Sequence, residues 1–186
     1  MLTHVGSQLI ETDRLILRPF VYADDIAMLK YWVADEDIQS MYSEPVYTTR
    51  DAVKTLLDQY ISGYNKLNYY RWAITLKGHN ECIGQIAFFL VDDHNHFAEI
   101  EYCIGKAFQC RGLATEATKA LIAYGFNKIG LHKIQICHKS INLPSKKVIE
   151  KCGFTYEGTL RDFFYMNGQY VDRLFYSILK SEFKNE

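Results

Sequence analysis

The sequence predicts a mixed α/β fold, with a mostly antiparallel central sheet and helices on both faces. Three observations carry that reading. Apolar residues recur at the i, i+3, i+4 spacing of an amphipathic helix in two long segments, Thr49 to Gly63 and Leu113 to Ile129. Between them, Tyr70 to Leu76, Cys82 to Val91 and Phe97 to Gly105 are apolar or alternating runs joined by short polar turns, which favours antiparallel neighbours. The third is a strand that turns through Gln109, Cys110, Arg111, Gly112, Leu113 and Ala114 straight into a helix. A chain of 186 residues, 48% hydrophobic and 15% aromatic, suits one compact domain over residues 1–186.

In chain order, Leu9 to Phe20 alternates and stops at Pro19, as a first strand does. Asp24 caps a helix with Ile26, Leu29, Tyr31 and Val33 on its apolar face, and a short continuation runs to Met41 before Ser43, Glu44 and Pro45 break it. Thr48 or Thr49 opens the second helix, which Gly63 ends. After the three middle strands, the helix from Leu113 carries Ala117, Leu121 and Tyr124 on one stripe. Its Glu116 and Lys119 are spaced for a surface pair, and Gly130 follows as its C-terminal glycine. Lys133 to His138 reads as a strand, Leu143 to Lys151 as a helix, and Phe154 to Leu160 with Gln169 to Leu179 as closing strands. Asn167 and Gly168 give a type I′ hairpin signal. The order is β-α-α-β-β-β-α-β-α-β-β.

A formal net charge of −1 argues against a nucleic-acid footprint, which relies on clustered Lys and Arg. The five cysteines, at 82, 103, 110, 137 and 152, form no CxxC pair, which fits reduced thiols in a cytoplasmic protein better than a disulfide framework or a zinc site. No apolar run approaches the roughly 20 residues that cross a bilayer, so no membrane partner is expected.

The strand-to-helix turn is where chemistry is legible. Backbone N–H groups at a helix N-terminus lack intrahelical partners and bind anions. Gly112 admits a close approach, and Arg111 adds donors suited to phosphate. Donors from Arg111 to Thr115 can hold a pyrophosphate with no metal, whereas P-loop and GxGxxG patterns are absent. A helix-entry glycine without a ligand is the plainer reading. On the preceding strand, Glu99, Glu101 and Cys103 share one face and Ile100, Tyr102 and Ile104 the other. Two carboxylates on one face can deprotonate an ammonium, directly or through water, or stand as solvated residues or binders of a substrate cation.

Four signatures resemble the GNAT superfamily of N-acetyltransferases, in particular its group of ribosomal-protein N-terminal and spermidine acetyltransferases. They are Glu11, Thr12, Asp13, Arg14, Leu15, Ile16, Leu17, Arg18, Pro19; Gln109 with Gly112 and Ala114, matching Gln/Arg-x-x-Gly-x-Gly/Ala; Asn142 and Ser145 followed by Glu150, Lys151, Cys152, Gly153, Phe154; and Glu157, Gly158 with Asn167, Gly168, Gln169, Tyr170. The resemblance implies the GNAT fold and acetyl-CoA as cosubstrate. Gln109, Arg111, Gly112, Leu113, Ala114 and Thr115 then hold the pyrophosphate, and the pantetheine arm pairs with the backbone near Cys103 and Ile104. It further implies Asn142 as a pantetheine ligand, Glu99 ahead of Glu101 as the base, and Ser145 as the acid for the departing thiolate. Ile149 stands where many members carry an acidic tyrosine. Asn142 or Ser145 also suits a helix cap.

Other candidates carry less. Cys110 beside Arg111 has no evident histidine partner for nucleophilic work. His94 and His96 lie in a turn without further metal ligands. Lys146 and Lys147 suit either a 3′-phosphate or a polar helix face. Phe163, Phe164, Tyr165 and Tyr170 suit an acceptor wall, core or a homodimer surface. The expected activity is acetyl transfer from acetyl-CoA to a primary amine, a protein N-terminus or a polyamine, with a non-catalytic acyl-CoA sensor as the contrasting class.

Overall fold

The computed structural model describes residues 1–184. Eight strands form one sheet: β1 (Ile10–Glu11), β2 (Leu15–Arg18), β3 (Tyr70–Leu76), β4 (Cys82–Asp92), β5 (Phe97–Ile104), β6 (Lys133–Lys139), β7 (Thr155–Met166) and β8 (Gln169–Leu179). Their spatial order is β1-β2-β3-β4-β5-β6-β8-β7. Every pair is antiparallel except β5 with β6.

The expected first strand is in fact two. The chain doubles back over residues 12–14, so that Ile10 stands opposite Leu17. Thr12 closes the turn by donating its N–H to the Leu15 carbonyl at 3.0 Å and accepting the Leu15 N–H on its hydroxyl at 2.9 Å. A turn this tight leaves the apolar alternation intact, which is why the pattern reads as continuous.

The helices are α1 (Asp25–Met28), α2 (Glu36–Tyr42), α3 (Arg50–Gly63), α4 (Leu113–Tyr124) and α5 (Leu143–Lys151). Asp24 does not cap α1 from outside. It lies in the preceding 3-10 turn, accepts the Val21 N–H at 2.9 Å and binds Arg18 through both oxygens at 2.8 and 2.7 Å. The segment expected to continue α1 is a helix of its own, because Asp35 accepts the Asp37 and Ile38 N–H groups at 3.0 and 3.1 Å and restarts the spiral. Thr49 caps α3 through the Ala52 N–H, as expected. α4 ends in a wide turn over Gly125–Ile129, closed by Gly130 at φ 81°. β7 runs past its expected end at Leu160, resuming after a break where Asp162 has φ 52°, and reaches the hairpin turn. There Asn167 and Gly168 have φ 49° and 80°, the two positive angles of a type I′ turn.

Side chains alternate between two cores. Trp72, Ile86, Ile100 and Ile134 bury against α4 and α5. Ala73, Cys82 and Cys103 bury on the other face with Trp32, Val53 and Leu57 from the α1 to α3 side.

The parallel pair is short. β5 and β6 are in register only from Phe97 opposite Lys133 to Ile100 opposite Ile136. Beyond that point β5 stays paired to β4 as far as Ile104, and β6 stays paired to β8 as far as Lys139. The two strands therefore part, and their facing backbone edges are left without each other. Gly84 holds β4 close to the end of β5: a Cβ there would lie 2.3 Å from the Cys103 carbonyl oxygen and 3.0 Å from the Ile104 Cα. Neither backbone neighbour can rotate away. Gly84→Ala is expected to lower stability by about 1–3 kcal/mol, read as a reduced urea midpoint; an unchanged midpoint would refute the close packing of β4 on β5.

Candidate active site

The Gly105 N–H donates to the Ile83 carbonyl at 2.9 Å. By antiparallel alternation, Gln85 and Cys103 then exchange hydrogen bonds, while the backbone groups of Tyr102 and Ile104 point away from β4 toward the parted edge. Ile104 presents an N–H to the opening, whereas the Cys103 amide faces β4 and its thiol is buried, with burial pushing the thiol pKa up to about 12.

The loop that follows is fastened at both ends. Gln109 donates from Nε2 to the Ile104 carbonyl at 2.9 Å, so its side chain braces the turn against β5. Cys110 and Gly112 take positive φ, 59° and 76°. Arg111 is exposed, with its guanidinium over the Phe108 ring at 5.7 Å. Glu116 is the residue whose N–H reaches the Gly112 carbonyl, at 3.0 Å, so the amides of Leu113, Ala114 and Thr115 precede the ladder. No side chain caps this helix start. The uncapped donors and the nearby arginine are chemically suited to an anion beside the parted strands.

Glu116 does more than the surface pairing its spacing predicts. Its carboxylate accepts the Thr12 hydroxyl at 2.6 Å, the Arg14 N–H at 2.9 Å and Arg14 Nε at 2.6 Å. Arg14 Nη1 in turn donates to the Arg111 carbonyl at 2.9 Å. The β1–β2 turn thus locks the strand-to-helix loop from outside. Sequence reasoning missed this brace because its partners lie far apart in the chain.

On the α5 side, Asn142 accepts the Ser145 N–H on Oδ1 at 3.2 Å and so caps α5, with its side-chain N–H donors unengaged by the described residues. The Ser145 hydroxyl shares a 3.0 Å hydrogen bond with the Tyr102 hydroxyl. Burial pushes the Tyr102 phenol well above its usual range, so it stays protonated at neutral pH. Tyr102 is the residue that the sequence reading passed over. Its signal was a single polar tip among the isoleucines of one strand face.

The carboxylates lie on the opposite face of the sheet. Glu99 is buried, with Oε1 taking Arg173 Nη2 at 2.7 Å and Oε2 taking Gln135 Nε2 at 2.8 Å. Glu101 accepts Arg71 Nη2 at 2.5 Å through Oε1, and its other oxygen takes no hydrogen bond from the described residues. Arg71 also donates to Gln85 at 2.5 Å and lies over the Tyr60 ring at 4.4 Å. Glu99 must release a partner, or work through water, to take a proton; Glu101 has an oxygen to spare. Of the weaker candidates, Cys110 is exposed and all five cysteines are free thiols. Lys146 leans toward Glu150 at 3.7 Å. Phe163, Tyr165 and Tyr170 are exposed. Among the described residues no His, Cys, Asp and Glu side chains cluster to hold a metal, and no helix is long and apolar enough to cross a membrane.

A family model described as an acetyltransferase (GNAT) domain matches residues 14–155. The chain is 35% identical over 133 residues to a Bacillus subtilis (strain 168) protein named "Putative ribosomal N-acetyltransferase YdaF", covering 72% of each. It is 25% identical to the spermidine N(1)-acetyltransferase of Escherichia coli (strain K12), over 88% of this chain and 80% of that one. Among solved structures, a GNAT-family acetyltransferase from Bacillus anthracis superposes with a TM-score of 0.81 at 27% identity, covering 94% of this chain and all of that one.

The Arg14–Glu116 brace carries a pH signature. Burial alone would raise the Glu116 pKa, but the bonds from Thr12 and Arg14 outweigh it and hold the group below the ordinary 4.5. A depressed carboxylate stabilises the fold above its unfolded value, and that stabilisation is lost as pH falls through the folded value. At pH 7, Glu116→Gln is expected to cost about 1–2 kcal/mol. The deficit relative to wild type should be smaller at a pH below the ordinary carboxylate value, where Glu116 takes up its proton, than at pH 7. Urea unfolding at both pH values checks this, and a deficit independent of pH would exclude the ionised brace.

Proposed function

The chain belongs to the GNAT acetyltransferase family, and from that premise we propose that it acetylates the α-amine at the N-terminus of a protein, in the manner of the ribosomal-protein enzymes. The observation that carries the transfer step is the parting of β5 from β6 beside the uncapped start of α4, with the Ser145–Tyr102 pair adjoining it. The 35% identity to the Bacillus subtilis protein named for ribosomal acetylation supports the acceptor.

In this reading acetyl-CoA lies with its pyrophosphate on Arg111 and the amides of Gly112, Leu113, Ala114 and Thr115, in a loop held by Gln109. The pantetheine follows the free edge at Ile104, past Cys103, and the Asn142 side-chain amide donates to it. The Ile104 N–H polarises the thioester carbonyl as an oxyanion hole does. A neutral amine attacks the carbonyl carbon, the tetrahedral centre collapses, and the C–S bond breaks. Ser145 gives its proton to the departing thiolate, the nitrogen sheds to water the extra proton it carries after attack, and Ser145 regains a proton from water, while the Tyr102 phenol stays protonated and holds the Ser145 hydroxyl in place. On the other face of the sheet, Glu99 accepts the ammonium proton through a water molecule. Glu101, with one oxygen to spare, is the competing base. Five free thiols agree with a reducing, cytoplasmic setting.

A polyamine acceptor is the second reading, favoured by the spermidine acetyltransferase relative and by the uncommitted Glu101 oxygen, which suits an ammonium. Thiol release from acetyl-CoA, measured against N-terminal peptides, polyamines, amino acids and aminoglycosides, separates the two. Coenzyme binding without acceptor-stimulated release across the whole panel would point to a sensor. Ser145→Ala should slow turnover by about 10- to 1,000-fold with little change in coenzyme affinity; unaltered turnover removes Ser145 as the acid. Arg111→Glu should weaken acetyl-CoA binding in calorimetry, and an equal affinity there would contradict the pyrophosphate assignment.

A further inference from the structure

Beside Glu99 and Glu101, the same face of the sheet carries the cations Arg71, Arg173 and Lys139, and the first two have a carboxylate. Arg71 is paired with Glu101 and Arg173 with Glu99. Lys139, the last residue of β6, is 5% exposed. Its ammonium donates to the Ser40 carbonyl and lies over the Phe164 ring at 4.6 Å. No acidic side chain among the described residues forms an ion pair with it. A little-exposed ammonium with one carbonyl and an aromatic face is poorly compensated by the protein, since it has three donors and a full charge to satisfy. Burial accordingly pushes its pKa below the usual lysine range.

A cavity of ≈430 Å³ opens beside it, walled by Ser40 and Ser43 at the end of α2 and by Phe164, Tyr165 and Met166 of β7, with Lys139 in the lining. The cavity adjoins the parted end of β6. The Lys139 carbonyl accepts the N–H of Asn142 at 2.8 Å, so Lys139 leads directly into the α5 cap that orients Ser145. On the other side, α2 packs against β5.

We propose that Lys139 is the anchor of a carboxylate subsite, and that the acceptors of this enzyme are amines carrying a carboxylate close to the reacting nitrogen. The buried cation then meets its counter-ion when the acceptor binds, with the Ser43 hydroxyl at the mouth as a further donor; the Ser40 hydroxyl already donates to the Asp37 carbonyl at 2.9 Å. A polycation such as spermidine would meet like charge there. The carboxylate has two sources, the α-carboxylate of a free amino acid or an acidic side chain at the second position of a peptide. The inference rests on the acetyl-transfer reading above.

The test compares matched acceptors: serine with serinamide, and the C-terminally amidated peptides Ser-Asp-Ala-Ala and Ser-Asn-Ala-Ala, with spermidine alongside. The wild-type enzyme should prefer the carboxylate member of at least one pair by about 10- to 100-fold in kcat/KM, and the pair that shows it identifies the source. Lys139→Met should bring that ratio to within about threefold, whereas Lys139→Arg should retain it. Acetyl-CoA calorimetry on each variant checks the fold. A wild-type ratio near one, a preference that survives in Lys139→Met, or spermidine exceeding every carboxylate acceptor overturns the proposal. If nothing in the panel is acetylated, the transfer reading has failed; calorimetric binding of the same two peptides to the CoA complex then decides the subsite alone, and equal affinities reject it.

Discussion

The constraint on which the rest depends is that two neighbouring strands stop pairing while both remain fastened to the sheet. A buried strand edge with open N–H and C=O groups is costly. β5 and β6 tolerate one because each keeps its outer partner, β4 and β8. The opening leaves room beside β5, with an N–H from Ile104 at its rim. The loop that leaves β5 then delivers the uncapped start of α4 to the same end. Gln109, bonded to the Ile104 carbonyl, makes the spacing between the two a fixed quantity.

The sheet also divides the chemistry by sign and by face. Ser145 and Tyr102 lie on the α4 and α5 side, where their neighbours are isoleucines and other apolar side chains. The carboxylates lie on the α1 to α3 side, each set in an arginine pair. A thioester threaded between the strands would have its leaving thiol addressed from one side and its attacking amine from the other. Acid and base are then kept from neutralising each other by the thickness of the sheet.

Much of this was legible in the sequence because it is local. Helix caps such as Thr49 and Asn142, the Asn167–Gly168 turn and the alternation on β5 each depend on a few adjacent residues, and the structure realises them. What escaped depends on partners brought together by folding. The break between β1 and β2 hides inside an unbroken apolar alternation. Asp24 has the composition of a cap but is claimed by Arg18. Glu99 and Glu101 read as a free acidic pair, while the arginines that engage them arrive from β8 and β3. Tyr102 gained meaning only when α5 placed Ser145 against its hydroxyl.

The insertion of β8 between β6 and β7 also has a bearing on how the chain assembles. From β1 to β6 the sheet grows in sequence order, so during synthesis each strand finds a template already in place. β7 does not: its place is beside β8, which leaves the ribosome later. The last hairpin therefore has to form and dock as a unit, and until it does, β6 is an open edge on both sides at its Lys139 end. The nascent protein completes the strand-to-helix loop at Gln109 to Thr115 before it completes the strand that carries Arg173.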